Sequence, residues 1–140
     1  MVIKRLAHVG VAVSNFETTS GIWEQLGLPR ASVEEVPSAD TRVAFHPVGE
    51  SAIELLQSMS AQGPVARFLE KRGPGVHHLC FEVDDLSAEM KRLRDLGFRF
   101  LSAEAKPGAH GTLVAFMHPK DTDGVLVEFN QPPPAKAKAP

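Results

Sequence analysis

Four side chains that could bind a metal lie inside apolar, strand-like segments of the chain. His8 begins the alternating part of "AHVGVAVSN", and His78 has the same place in "GVHHLCFEVDD". Glu54 lies within "AIELL" and Glu128 within "VLVEF". A carboxylate that points into such a sheet is costly unless it is paired or bound to a metal. Two neutral imidazoles and two carboxylates suit Co, Mn, Ni, Fe or Zn, and six-coordination would leave two positions for water or substrate.

An internal repeat places these four residues at equivalent positions. With an offset of 70 residues, His8 aligns with His78, and the sequence "LGL" aligns with "LGF". The sequence "VAF" and a His-Pro pair recur in the same order, and the offset has drifted to 74 where Glu54 aligns with Glu128. Matching segments that recur in the same order, with an offset that changes only slowly, indicate two copies of one structural unit. If the copies pack with pseudo-twofold symmetry, the four groups converge on a single metal site.

Each copy is predicted to form a strand, a helix and three further strands. "LAHVGVAV" alternates with a period of two, as a half-buried strand does. Ser14-Asn15 caps a helix over residues 16–26, and Asp84-Asp85 caps the second helix; Gly27 and Gly97 end them. The later strands are predicted at about 30–36, 41–47, 52–58, 99–104, 112–118 and 124–130. The predicted fold class is therefore α+β, built from two βαβββ modules.

The modules are expected to form one domain over residues 1–131. It comprises module 1 (1–60), a linker helix (61–74) that begins near Pro64 and ends near Gly73, and module 2 (75–131). The remaining residues, 132–140, form a tail of Pro, Ala and Lys. This tail is predicted to be disordered because it has nothing to bury.

The bulk composition argues against several classes of function. The 140 residues carry a net charge of −2 and contain no basic block, so nucleic-acid binding is not expected. The single cysteine, Cys80, excludes an internal disulfide and fits a reducing compartment. The apolar run near the N-terminus is too short for a signal peptide or a membrane span. A cytoplasmic protein without a membrane partner is therefore expected.

Other polar residues are weaker candidates for the site. Adjacent strand residues point to opposite faces, and the repeat selects His78 as the ligand, so His77 is expected on the outer face. His110 lies in the turn "PGAHGT", where glycines let the backbone approach a ligand closely. Several basic residues could meet a phosphate, although solvated surface charge is their default role: Arg67, Lys71, Arg72 and Lys120.

Six motifs carry a resemblance to a known family. They are "HVGVAV", "VAFHPVG", "IELL", "FLEKRGPGVHHLCFEVDD", "GAHG" and "HPKDTDGVLVEF", and they cover nearly the whole chain up to about residue 131. With them the sequence resembles the vicinal oxygen chelate superfamily, which includes glyoxalase I, and within it the methylmalonyl-CoA epimerases. The resemblance implies a half-open, glyoxalase-like barrel around a metal site, and a homodimer.

The resemblance also implies an activity and a ligand set. The enzyme would interconvert the two C2 epimers of methylmalonyl-CoA, a CoA thioester. His8, Glu54, His78 and Glu128 fall on the family's ligand positions, and Co²⁺ is the expected metal, with Mn²⁺, Ni²⁺, Zn²⁺ or Fe²⁺ as alternatives. Chelation of the substrate's carboxylate and thioester oxygens would stabilise the enolate.

Epimerisation needs one group that removes the C2 proton and another that delivers a proton to the opposite face. The resemblance makes Glu128 the expected proton carrier on one face of C2. One branch of the family has its other carboxylate on the strand that contains Val43, where this chain has no acid. The second carrier is therefore hypothesised to be His110 or Glu54.

Three alternative functions stay open at this point. A glutathione-using enzyme such as glyoxalase I usually carries arginine four residues after the first histidine, where this chain has Ala12. A non-catalytic small-molecule-binding protein of the superfamily commonly loses the metal ligands, and this chain retains all four. A structural module with an incidental metal is the third alternative. Deuterium exchange at C2 of methylmalonyl-CoA would separate the epimerase from all three.

Overall fold

The two repeats fold as two halves of one curled sheet, which the computed structural model describes for residues 2–134. The strands of this part of the chain are β1 (Ile3–Ala12), β2 (Ser32–Val36), β3 (Thr41–Val48), β4 (Ser51–Ser58), β5 (Gly75–Val83), β6 (Lys106–Pro107), β7 (Leu113–Phe116) and β8 (Val127–Gln131). The helices are α1 (Phe16–Gln25), α2 (Pro64–Arg72) and α3 (Leu86–Asp95). Across the sheet the order is β2-β3-β4-β1-β5-β8-β7-β6.

The modules meet along the first strand of each repeat. β1 and β5 pair antiparallel at the centre of the sheet, with β4 parallel to β1 on one side and β8 parallel to β5 on the other. The order of strands is therefore symmetric about the β1–β5 pair. The predicted α+β fold, a half-barrel of two βαβββ modules, is confirmed.

Equivalent caps begin the first helix of each module. The side chains of Asn15 and Asp85 each accept a hydrogen bond from a backbone N–H in the first turn, at 2.9 and 3.0 Å. Such a cap typically stabilises a helix by about 1 kcal/mol. The next residue in each case, Phe16 or Leu86, is almost completely buried and anchors the helix to the sheet.

The helices α1 and α3 cover the convex face of the sheet, which leaves the glutamates on the concave face. Leu55 packs with Phe16 of α1, and Phe129 packs with Leu86 of α3. Because neighbouring strand residues point to opposite faces, Glu54 and Glu128 point away from these helices. On the concave side, α2 closes one end, where its residue Val65 packs with apolar side chains of β3 and β4.

The structure differs from the prediction at the outer edge of module 2. The predicted strand at 99–104 is reduced to one isolated bridge between Phe100 and Met117, and the short β6 pairs with β7 instead. Residues 101–104 form bends, and the carbonyls of Ser102 and Ala103 accept hydrogen bonds from Arg94 of α3, at 3.0 and 2.8 Å, instead of pairing with a strand. Before β8 the chain forms a 3₁₀ turn, Pro119–Thr122, followed by Asp123 in the left-handed region with φ 53°.

Two further features bear on the sequence predictions. Of the predicted disordered tail, 135–140 lies outside the described residues, whereas Pro132 and Pro133 line the cavity on the concave face. Among residues 2–134, no helix has the length and apolar character needed to cross a bilayer.

Candidate metal centre and active site

The strand register brings the four predicted ligands to the centre of the concave face. Two rows of three residues cross the central strands, and each row contains a Glu, a small residue and a His. One row is Glu54–Gly10–His78 on β4, β1 and β5, and the other is Glu128–Cys80–His8 on β8, β5 and β1. The rows correspond to each other in the repeat. The pseudo-twofold symmetry therefore converts two distant histidines and two distant glutamates into one cluster.

Three ligand atoms of the cluster converge on one point. The Nε2 atoms of His8 and His78 lie 3.0 Å apart, and Oε1 of Glu128 lies 3.0 Å from each of them. All three side chains are less than one-tenth exposed. Glu54 approaches the cluster from the other side, where its Oε2 lies 2.7 Å from Nδ1 of His8.

This arrangement fits a divalent metal. Within the described residues, Oε1 of Glu128 is buried and accepts no hydrogen bond, although two imidazole nitrogens lie 3.0 Å away. A buried acceptor without a partner is costly, and a cation at the shared point would satisfy it. The donor set of two imidazole nitrogens and a carboxylate oxygen is typical of transition-metal sites.

Glu54 contacts the outward nitrogen of His8 in this geometry. A carboxylate on Nδ1 fixes the ring orientation and directs Nε2 towards the shared point, as partners of metal-binding histidines commonly do. The repeat predicted Glu54 as a fourth metal ligand. That role stays a prediction, since Oε2 of Glu54 contacts the imidazole of His8 in this structure.

The charges of the cluster are strongly coupled. Burial alone would lower the pKa of His8, but Glu128 and Glu54 outweigh it and raise the pKa to about 9. Burial would raise the pKa of Glu128, but His78 and His8 hold it well below its usual range. The two carboxylates therefore favour positive charge at this point, and a divalent cation bound to neutral imidazoles would supply it.

Cys80 lies beside the same centre. It is completely buried, and its sulfur is within 4.8 Å of ligand atoms of His8 and Glu128. Burial raises the pKa of the thiol, and the nearby Glu128 raises it further. Nε2 of His78 lies 3.0 Å from both Nε2 of His8 and Oε1 of Glu128, so the geometry favours the imidazole of His78 as the third ligand.

The expectation that His77 lies on the outer face is wrong. The register between β1 and β5 shifts between Gly10–His78 and Val11–Val76, so His77 bulges out of the ladder. Its ring contributes to the wall of the concave cavity, and its Nδ1 lies 2.9 Å from Nδ1 of His78. A β-bulge breaks the strict alternation of faces, which is why a period of two fails at this residue.

His110 also contributes to the wall of the cavity, although it lies in a different segment of the sequence from the four predicted ligands. Its backbone has φ 56°, in the left-handed region, and its ring stacks on Phe45 with the ring centroids 4.1 Å apart. The backbone N–H of His110 donates to Oε2 of Glu34 at 2.8 Å. Sequence reasoning missed Glu34, although it pairs across the strands with Val43, the position where some relatives carry an acid.

A cavity of about 740 Å³ covers the cluster and is lined by residues of both modules. The four predicted ligands and His110 all contribute to its wall. Ligand sites are typically concave spaces of this size with a few convergent polar groups. The arrangement is suited to hold a small acidic molecule against a cation.

The family comparison matches this fold and site. The family model described as Glyoxalase/Bleomycin resistance protein/Dioxygenase superfamily matches residues 7–116. These residues include three of the four predicted ligands, all of β5 and the second half of β1. The chain belongs to this superfamily, as its resemblance predicted.

Comparison with individual relatives narrows the assignment of the chain within the superfamily. The mitochondrial methylmalonyl-CoA epimerase of Mus musculus is 43% identical over 129 residues, which cover 91% of this chain and 72% of that protein. The ethylmalonyl-CoA/methylmalonyl-CoA epimerase of Cereibacter sphaeroides is 41% identical, with coverage of 92% and 98%. A variant of the Streptomyces coelicolor methylmalonyl-CoA epimerase, solved with 2-nitronate-propionyl-CoA, superposes with a TM-score of 0.90 at 30% identity, with coverage of 93% and 98%. Within the superfamily, the chain is an enzyme of the methylmalonyl-CoA epimerase family.

Proposed function

We propose that this enzyme is metal-dependent and interconverts (R)- and (S)-methylmalonyl-CoA by moving the proton at C2. The observation that supports this proposal is the convergence of Nε2 of His8, Nε2 of His78 and Oε1 of Glu128 at mutual distances of 3.0 Å. The cluster lies in a cavity large enough for the acyl part of a thioester. Relatives named for this reaction share the fold at about 40% identity.

His8, His78 and Glu128 would hold the metal, and Glu54 would complete the set. Nitrogen and oxygen donors without thiolate suit Co²⁺, Mn²⁺, Ni²⁺, Zn²⁺ and Fe²⁺. The family resemblance makes Co²⁺ the first candidate. When bound, the divalent ion supplies a Lewis acid that neutralises the negative charge developing on the substrate's oxygens.

The carboxylates of the chain would carry the proton. The C2 hydrogen lies between a thioester and a carboxylate, so its removal needs a base held beside that carbon and protected from water. Glu54 on β4 and Glu128 on β8 flank the central β1–β5 pair from opposite sides. Opposite sides are what an epimerase needs, since one proton leaves one face and another arrives at the other. Glu128 is the proposed carrier on one side.

Glu54 and His110 are the two candidates for the proton carrier on the other face of C2. Glu54 is supported by its symmetric relation to Glu128, and His110 by its place in the cavity wall. Removal of the true second carrier should slow C2 exchange from one epimer far more than from the other. We would compare Glu54→Gln with His110→Ala, each assayed with both pure epimers. A His110→Ala variant with full turnover and exchange would remove His110 as a carrier.

The decisive experiment follows deuterium entry at C2 of methylmalonyl-CoA in D₂O. The metal-free protein, the protein reconstituted with each candidate metal and a His8→Ala/His78→Ala variant would be compared. Exchange and epimerisation are expected only with metal and intact ligands. Absence of exchange with all five metals would overturn the proposed function, and undiminished exchange after complete metal removal would overturn its metal dependence.

A glutathione-dependent reaction has weaker support. The arginine expected four residues after the first histidine is replaced by Ala12, which is completely buried. We also propose a homodimer, on the family resemblance, and a cytoplasmic location, because the single cysteine fits a reducing compartment. Analytical ultracentrifugation and cell fractionation would test the two parts of that proposal separately.

A further inference from the structure

The two histidines of the cluster have different partners on the nitrogen that faces away from the shared point. Nδ1 of His8 lies 2.7 Å from Oε2 of Glu54. Nδ1 of His78 lies 2.9 Å from Nδ1 of the preceding residue, His77. A carboxylate therefore contacts one ligand ring, and a second imidazole contacts the other.

The β-bulge at His77 makes the contact between the two neighbouring imidazoles possible. In a regular strand the side chains of adjacent residues point to opposite faces, so two adjacent rings do not meet. Here Gly10 pairs with His78 and Val11 with Val76, which leaves His77 outside the ladder. Both histidine rings contribute to the wall of the concave cavity. Bulges commonly re-aim a side chain beside an active site.

An equivalent bulge in module 1 shows that the bulge itself does not require a histidine. Between Leu6 and His8 the register of β1 with β5 also skips one residue, Ala7, which aligns with His77 in the repeat. Ala7 is buried and lines the same cavity. The fold therefore accommodates alanine at this place of the unit, and the imidazole at position 77 needs a separate explanation.

The ring of His77 also packs against α2. The ring centroids of His77 and Phe68 lie 4.9 Å apart with the planes at 70°, which is an edge-to-face arrangement. His77 is half-buried. Phe68 and His78 together restrict rotation of the His77 ring, so its Nδ1 stays directed at Nδ1 of His78.

The contact bears on which nitrogen of His78 carries a proton. A neutral imidazole has one N–H and one nitrogen with a free lone pair. To bind a metal through Nε2, His78 must carry its proton on Nδ1. That N–H needs an acceptor within the protein, because the residue is 5% exposed. Among the described residues, Nδ1 of His77 is the one hydrogen-bond partner of this nitrogen.

We propose that His77 is a positioning residue of the metal centre, whose Nδ1 accepts the Nδ1–H of His78 and so directs Nε2 of His78 to the shared point. This inference rests on the metal dependence in the proposed function. His77 acts through His78 and is not a ligand itself. Hydrogen-bond partners of this kind commonly change metal affinity by about ten- to a hundredfold.

The first test measures Co²⁺ affinity by calorimetric titration. His77→Ala removes the acceptor and should weaken binding by about tenfold or more. In His77→Asn the amide oxygen replaces Nδ1 as the acceptor, so the affinity should stay close to that of the wild type. Val76→Ala changes the exposed residue before the bulge and is the matched control, with wild-type affinity expected. Wild-type affinity in His77→Ala, or an equal loss in His77→Ala and His77→Asn, would overturn the inference.

The second test needs no variant. NMR of the wild type, loaded with the diamagnetic ion Zn²⁺ and carrying isotope-labelled histidine, should show a proton on Nδ1 of His78. A scalar coupling should join this nitrogen to Nδ1 of His77, because an N–H···N hydrogen bond transmits such a coupling. A proton on Nε2 of His78, or absence of the coupling, would overturn the inference even if the His77 variants failed to fold.

Metal binding and the ring tautomer are measured without turnover, so they separate this inference from the proposed reaction. A protein that shows the coupling and the loss of affinity but does not exchange the C2 proton would support the inference and overturn the proposed epimerisation. A protein that epimerises methylmalonyl-CoA and keeps full Co²⁺ affinity in His77→Ala would do the reverse. Failure to bind any candidate metal would overturn the inference together with the metal dependence, and deuterium exchange would still decide the reaction.

Discussion

Gly10 on β1 and His78 on β5 face each other in the central strand pair, and the imidazole lies where a side chain of residue 10 would be. A Cβ built on Gly10 would lie 2.5 Å from Nδ1 and 2.8 Å from Nε2 of that ring. No real Cβ tolerates such contacts, so glycine at this position is a condition for the ligand geometry. The repeat equivalent of Gly10 is Cys80, another small residue, which lies between His8 and Glu128 in the second row.

Gly10→Ala should displace the ring of His78 and weaken metal binding by at least tenfold. Because Gly10 is in a strand with ordinary backbone angles, the fold should survive, as circular dichroism would show. Calorimetric titration with Co²⁺ measures the loss. The matched control is Gly21→Ala in α1, where an added Cβ meets nothing within 4 Å. The control should keep wild-type affinity and gain up to about 1 kcal/mol of stability, since alanine favours helix. Wild-type Co²⁺ affinity in Gly10→Ala would contradict the ligand role of His78.

Cys80→Ala should leave metal affinity within about threefold of the wild type. Nε2 of His8, Nε2 of His78 and Oε1 of Glu128 already converge at mutual distances of 3.0 Å, so the cluster has three ligand atoms without the sulfur. Cys80→Leu is the contrasting variant, because its larger side chain would push into the row between His8 and Glu128. Absorption spectra of the Co²⁺ form provide a second readout. A sulfur-to-cobalt charge-transfer band that disappears in Cys80→Ala would make Cys80 a ligand after all.

Glu128→Gln should lower kcat for epimerisation by about 10²- to 10⁴-fold, the usual range for loss of a general acid–base group. The amide has nearly the same shape but cannot accept the C2 proton. Deuterium exchange from each pure epimer and metal content would be measured on the same samples, so that loss of the proton carrier is distinguished from loss of metal. Glu104→Gln, at an exposed position outside the cavity wall, is the control. Full activity of a metal-loaded Glu128→Gln enzyme would exclude Glu128 as the carrier.

Glu34→Ala should release the loop that carries His110. The carboxylate of Glu34 accepts the backbone N–H of His110 at 2.8 Å, and this bond joins β2 of module 1 to the far loop of module 2. Amide hydrogen exchange at His110, followed by NMR, should become at least tenfold faster. Glu34→Gln retains an acceptor oxygen and should show a much smaller change. Equal protection of the His110 amide in all three proteins would show that the contact does not hold the loop.

The ion pair between Arg99 and Asp121 should make part of the stability depend on pH. The guanidinium and backbone N–H of Arg99 both donate to Asp121 and hold its pKa at about 2, below the ordinary value of 3.8. The pKa is depressed in the folded state, so the stabilisation is present above about pH 4 and disappears as the pH falls through 2. In urea unfolding, the difference between wild type and Asp121→Asn should therefore shrink from pH 5 to pH 2. A difference in unfolding free energy that stays constant with pH would contradict the predicted contribution of this ion pair.

Much of the fold was predictable because the repeat and the alternation are local signals. Ser14-Asn15 and Asp84-Asp85 marked where the helices begin, the period of two marked β1 and β5, and short apolar runs marked β4 and β8. The edge of module 2 was not predictable in the same way. Residues 99–104 have strand-like composition, but the carbonyls of Ser102 and Ala103 accept from Arg94 of α3, a tertiary contact that no local pattern encodes.

The candidate site, too, was predictable only where the signal is local in the sequence. The sequence by itself determined which four residues could bind a metal, since equivalent positions in two copies must meet when the copies pack symmetrically. Tertiary structure alone decided that His77 bulges into the cavity wall, that Glu54 contacts Nδ1 of His8, and that Glu34 holds the His110 loop. The physical reason is that repeat and alternation specify strand and face, whereas a bulge, a rotamer or a contact between modules depends on how distant strands pack.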